Sequence, residues 1–310
     1  MNTPSNAIPE SSFGSHAIAP AVVSQTQRMY WLVRRELWEN RSIYLAPLAI
    51  AAVFMFGFLI SMIYLPGKMR AASALSPMEQ HKILAQPYLI ASGLMMLTTL
   101  AIGVFYCLDA LHGERRDRSI LFWKSLPVSD LETVLSKVIT PVVILPLVTF
   151  AVAILTQWIM LLVSSAVLLG SGLSAATLWS HAPLLQTWLM LLYHLLTVHG
   201  LWYAPLYAWL LLASAWSRRA PFLWAFLPLL AIAAVEKIAF NTTHFGRMLV
   251  TRMLGGGGGG DFMAATLSVH PLLHFAPGEF LASPGLWIGL AVAAAFLAAA
   301  VQLRRYRGPI

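Results

Sequence analysis

Residues 138–170 read VITPVVILPLVTFAVAILTQWIMLLVSSAVLLG, and the chain then continues to Ser217 without one Asp, Glu, Lys or Arg. A hydrocarbon core is about 30 Å thick and takes roughly 20 apolar residues to cross as a helix, so this run holds two or three crossings. Lys137 closes it at one end, and Arg218 and Arg219 at the other. Its middle, GSGLSAATLWSHAP over 170–183, is small and polar and predicts a turn between two long spans. Two crossings bring Arg218 and Arg219 back to the side of Lys137, whereas three would reverse them. Each arm is longer than one bilayer crossing. Pro141 and Pro146 are therefore expected to kink the third span, and Leu184–Leu195 to form a separate outer-surface helix before a fourth span over Leu196–Trp216.

Working outward, uncharged stretches predict spans over Ile43–Leu65 and Pro87–Leu108, separated by a polar segment with Lys68, Arg70, Glu79 and Lys82. Further spans follow over Pro221–Phe240 and Pro284–Leu303. The composition agrees: 59% of residues are hydrophobic and 10% charged, against about 25% charged in soluble domains. The fold class is all-α, a polytopic membrane protein with six transmembrane helices. The net charge of +8 bears on orientation, not on nucleic acid, for which no partner role is expected. Arg28, Arg34, Arg35, Arg41, Arg115, Arg116, Arg118, Lys124, Lys137, Arg218, Arg219, Arg304, Arg305 and Arg307 fall on one side, 14 residues in all. Lys68, Arg70, Lys82, Lys237, Arg247 and Arg252, 6 residues, fall on the other. The positive-inside rule then places both termini in the cytoplasm.

Residues 1–23 are rich in Ser, Pro, Ala and Asn, lack a basic and apolar leader pattern, and predict a disordered cytoplasmic tail. Ser24 and Gln27 have the spacing of a capping box and predict a helix over 24–40. Its apolar residues Met29, Leu32, Val33 and Leu37 fall at helical spacing, with Arg28, Arg34, Arg35 and Glu39 largely away from them. Such a helix is expected to lie in the interface as an elbow leading into the membrane. Residues 24–310 thus form one six-span domain. The lone Cys107 allows no disulfide within the chain.

Catalytic and metal signals are weak. His270 and His274 are four apart, but Pro271 lies between them and no Glu follows the first histidine as H-E-x-x-H requires. His194 and His199 are five apart, the wrong spacing to share a helix face. Gly255–Gly260 is followed by Asp261 and Phe262, not by the Lys and Ser/Thr of a phosphate loop, and reads as a flexible linker in an outer segment over 241–283. No enzyme activity, metal or cofactor is expected of the chain itself. Glu236 is the only acid inside a predicted span and lies beside Lys237. Neighbours in a helix do not face each other, so two roles stay open: an interfacial pair reaching outward, or an outer gate. An ion-driven carrier normally holds ionisable groups near the bilayer midplane, and the scarcity of such charges favours an external energy source.

The most specific feature is the charged loop over 109–137. From Leu111 it reads LHGERRDRSILFWKSLPVSDLETVLSKV. A charged entry with Glu114, Arg115, Arg116 and Arg118 leads into the apolar block Ile120, Leu121, Phe122 and Trp123, then Lys124 and a break at Pro127. Ser129 to Glu132 is a second capping box, with Asp130 and Glu132 in the first helical turn where the macrodipole favours them. Two helices at an angle are implied. The first is short and amphipathic, held at the membrane surface, and suited to meet a soluble partner. Anchoring of Phe122 and Trp123 among lipid headgroups is the other reading.

In this loop the chain resembles the permease subunits of type-2 ATP-binding cassette transporters. The resemblance is carried by Glu114-Arg115-Arg116-Asp117-Arg118-Ser119, by Ser125-Leu126-Pro127-Val128-Ser129 and by Lys137. The elbow helix, six spans and cytoplasmic termini are similar too. The resemblance implies that two permeases pair, as copies or paralogues. A coupling helix, here about Arg118 to Ser125, then docks on a separate cytosolic ATPase that binds the ATP. It further implies an exporter in a bacterial inner membrane. The residues alone leave a second function open, a membrane-embedded regulator or scaffold that binds a soluble partner and transports nothing.

Overall fold

The computed structural model describes residues 24–72, 76–125, 128–181, 184–253 and 277–308. Pro127, the glycine run, His270 and His274 lie outside the described residues. Every described element is helical. Six stretches are long and apolar enough to cross a membrane, Ser42–Ala71, Ile83–Arg116, Asp130–Gly170, Leu184–Trp202, Pro221–Phe240 and Pro284–Tyr306. The chain is therefore an all-α, multi-pass membrane protein.

Helix α1 spans Gln25–Glu39 and starts at a capping box in which Gln27 N–H donates to Ser24 Oγ and Ser24 N–H to Gln27 Oε1. Helix α2, Ser42–Ser61, runs through a tight turn at Met62–Tyr64 into α3, Leu65–Ala72. Helix α4, Pro77–Ala110, opens on another capping box at Ser76 and Glu79. Two short helices come next, α5 (His112–Arg116) and α6 (Ser119–Ser125), split at Arg118, which takes a positive φ of 59°. Helix α7, Asp130–Ile139, passes through a π-turn at Thr140–Ile144 into α8, Leu145–Gly170. Pro141 has no N–H to offer a carbonyl four residues back, which accounts for the wider turn.

The fourth crossing is drawn differently from the expectation. After α9 (Ala176–His181), helix α10 (Leu184–His194) runs without a break into a π-turn at Leu195–Trp202. The interruption comes at Tyr203, with ψ near 0°, before α11 at Ala204–Trp216. Leu184–Leu195 is thus continuous with the residues after it, and Leu184–Trp202 is the stretch long and apolar enough to cross a membrane, because no breaker stands before the π-turn and the next proline is Pro205. Helices α12 (Pro221–Phe240), α13 (His244–Met253), α14 (Pro277–Ala282) and α15 (Pro284–Tyr306) complete the chain.

The largest core joins Leu100, Cys107 and Leu111 of α4 to Tyr207, Leu210 and Leu211 of α11 and Ala300 of α15. Small residues allow close approach between membrane helices. At Gly103 a Cβ would lie 2.8 Å from the Tyr207 ring, so only glycine lets that ring rest on α4. Farther along, Phe58, Met62, Tyr88 and Met160 join α2, α4 and α8. Gln157 links them by donating to Tyr88 O at 3.0 Å and Ser92 Oγ at 2.8 Å while accepting from Trp188 Nε1 at 2.7 Å.

Candidate functional site

The loop helices and both ends of the described chain meet at one end of the bundle. Ser129 caps α7, accepting from Glu132 N–H at 3.1 Å, while Glu132 Oε2 accepts from Ser129 N–H at 2.9 Å. Glu132 also pairs with Arg28 of α1 at 3.1 Å, so one carboxylate both closes a cap and joins two helices. One turn on, α7 aims Lys137 inward. Its ammonium donates to Glu36 Oε1 at 2.9 Å and lies 3.1 Å from Glu114 Oε1. Lys137 is only 2% exposed, and Glu36 and Glu114 are buried beside it.

The network extends from each acid. Tyr106 O–H donates to Glu36 Oε2 at 2.7 Å. Arg304, near the end of α15, donates to Glu114 Oε2, and its Nε reaches Asp130 at 3.1 Å. Arg35 stands 3.6 Å from Glu114 and 2.7 Å from Glu39. Around Glu114 the charges of Glu36, Glu114 and Asp130 are balanced by Lys137, Arg304 and Arg35. Balance matters here, because an unpaired buried charge costs far more than a paired one.

Around this charged base the loop residues divide into two groups. Arg115 is a brace: its guanidinium donates to Ala215 O at 2.8 Å, Ser217 O at 3.1 Å and Gly308 O at 3.2 Å. Glu114 belongs to the network just described. Ile120 is buried, and Trp123 turns inward so that the Arg35 guanidinium sits 3.3 Å from the ring centroid, a cation–π contact. Leu121 and Phe122 point the other way, 57% and 59% exposed. Arg116, Arg118 and Lys124 are exposed around them, with Arg116 paired to Asp117 at 3.1 Å and to Asp109 at 3.7 Å. Lys124 leans back to donate to Arg305 O at 3.3 Å. The short helix therefore shows an apolar tip with a basic rim, clamped from behind.

Glu236 and Lys237 do not pair with each other. Glu236 accepts from Thr242 Oγ1 at 2.8 Å, His244 N–H at 2.6 Å and Phe245 N–H at 2.9 Å, and so fastens the start of α13 to the end of α12. Lys237 donates to Asn241 Oδ1 at 2.9 Å.

Glu36, Arg35, Tyr106, Asp130 and Arg304 are members that sequence reasoning did not assign to a site, and Lys137 entered it only as part of the loop's sequence pattern. One signal was present: Glu36 stands four residues after Leu32, on the buried stripe of an otherwise amphipathic helix. An acid in that position needs a partner. Comparison with known proteins yields no match to a family model, a curated protein or a solved structure.

Proposed function

We propose that the chain is the membrane subunit of an ATP-driven exporter. On this reading it works as a dimer in a bacterial inner membrane, with both termini in the cytoplasm and α1 lying in the interface as an elbow. The observation that carries the reading is the division of α6: Leu121 and Phe122 face outward while Ile120 and Trp123 anchor the helix to a rigid charged base. A lipid-anchoring loop needs no such base. A helix that transmits force does, because a push on its tip must reach the crossings instead of bending the loop. The base touches α1, α4, α5, α7 and α15 together, so displacement of α6 acts on five helices at once. The basic rim of Arg118 and Lys124, with Arg116 already paired to Asp117 and Asp109, suits an acidic groove on the soluble partner. The resemblance of the loop to type-2 permeases supports an ATPase as that partner.

The test is reconstitution of the full chain in proteoliposomes with a soluble ATPase encoded beside it. ATP hydrolysis is expected to depend on both proteins, and joint replacement Leu121→Ala with Phe122→Ala to cut the stimulated rate about tenfold or more at equal protein. Hydrolysis that ignores the membrane chain would leave the regulator or scaffold reading in possession.

A further inference from the structure

The third and fourth crossings each contain a π-turn, and the two turns, Thr140–Ile144 and Leu195–Trp202, pack against each other. Their approach is close: a Cβ on Gly200 would lie 3.2 Å from Val142 O. π-turns interrupt the regular ladder and often mark functional sites in helices. The wider turn also changes which residues meet. Tyr203 N–H bonds Val198 O, five residues back, at 2.9 Å. In that register position 199 returns toward position 194. The exclusion drawn from their spacing holds for an α-helix and fails here.

His199 is 2% exposed, and its Nδ1 has no hydrogen-bond partner. Its ring meets Tyr203 edge-on, centroids 5.2 Å apart. His194 Nδ1 lies 2.8 Å from Met190 O; a carbonyl only accepts, so that nitrogen carries the hydrogen. The titratable groups beside His199 are Tyr193 and His194 on α10, Tyr203 and Tyr207 at α11, and Tyr106 and Cys107 in the same core on α4, whose carboxylates stand toward its two ends, Glu79 capping the first turn and the exposed Asp109 beside Arg116. The facing π-turn, α8 and the adjoining part of α15 contribute none, and Arg252 of α13 comes only as near as the Trp202 ring. No carboxylate faces the imidazole among the described residues. An imidazolium has two N–H groups to satisfy, and here one would point at no acceptor. The packed π-turns thus accommodate the neutral ring alone, and a charged ring needs water between them.

We propose that His199 is a proton-binding site inside the bundle, whose protonation parts the two π-turns and shifts the packing of the third and fourth crossings. Neither the ATPase nor a cargo enters this inference, so it stands or falls apart from the coupling role of α6. The full chain is placed in lipid nanodiscs with nitroxides at Leu185→Cys and Ile288→Cys in a Cys107→Ser background. The label-to-label distance is then measured from about pH 8 to about pH 5. Acidification is expected to raise a second distance population about threefold or more. His199→Gln, polar and of similar size but unable to take a proton, is expected to keep one population throughout, and His194→Gln to keep the response. A response that survives His199→Gln, or no response in the unaltered histidine background, overturns the proposal. If His199→Gln does not fold, 15N-histidine spectra of the chain decide, with the remaining eight of nine histidines assigned by single Gln replacements. Protonation of the His199 ring within that range supports the site, and a ring still neutral at about pH 5 overturns it.

Discussion

Lys137 is the residue on which the buried charges converge, touching Glu36 at 2.9 Å and Glu114 at 3.1 Å with almost no access to water. Lys137→Met leaves two carboxylates facing each other and is expected to cost about 3–5 kcal/mol, read as a loss of thermal stability in detergent or bilayer. Adding Glu36→Gln should restore part of that loss; a double variant no more stable than the single one would mean that the pair does not act as a pair. Gly103 supplies an independent residue-level test. Gly103→Ala puts a methyl into the Tyr207 ring and is expected to destabilise by about 1–3 kcal/mol, whereas Gly57→Ala, with open space around it, should be neutral or better. Beyond the i,i+4 pair of Arg35 and Glu39, the cluster's pairing could not be read along the chain, because Glu36 and Lys137 are 101 residues apart and Glu114 and Arg304 are 190 apart. What was readable was a misplaced polar residue such as Glu36, which announces a partner without naming it.

Among the elements, α6 is the one whose two faces have different work. Leu121 and Phe122 are mostly exposed, Phe122 meeting only the edge of the Trp123 ring at 4.9 Å among the aromatic contacts described, so replacing both by Ala is expected to cost no more than about 1 kcal/mol of stability while coupling to the partner is lost. Trp123→Ala removes the platform under Arg35 and is expected to lower folded yield as well as coupling. A stable Trp123→Ala protein with intact coupling would show that the inward anchor is dispensable. The capping boxes at Ser24 and Ser129 were legible because a cap is local, all its partners lying within four residues. The direction each side chain of α6 takes was not, since seven residues between two breaks carry too little periodicity to choose a face. The π-turns were hidden for a related reason. Pro141 and Pro146 signalled an irregularity, but its kind, a wider turn that regroups His194 and His199, depends on how two distant helices press together.

At the scale of the whole molecule, six crossings were legible in the sequence because each is a local excess of apolar residues that no soluble fold could hide. The bounds of the fourth were drawn otherwise, because hydropathy does not tell where along residues 184–216 the helix is interrupted. Orientation is open to direct test. Single cysteines at Arg118 and Arg219 are expected to react with a membrane-impermeant reagent only from the cytoplasmic side, and cysteines at Tyr64 and Arg247 only from the other; any exchange between the sets would break the six-crossing topology. The charged cluster also has a bearing on the order of manufacture. Glu36 and Glu114 leave the ribosome long before Arg304, and for that interval Lys137 is the nearest counter-charge they have. The end of the bundle can close only once the last crossing has threaded the bilayer and delivered its arginine. A chain stalled after five crossings would present an uncompensated acid at the membrane surface, a visible flaw by which cellular proteases can tell an unfinished copy from a finished one.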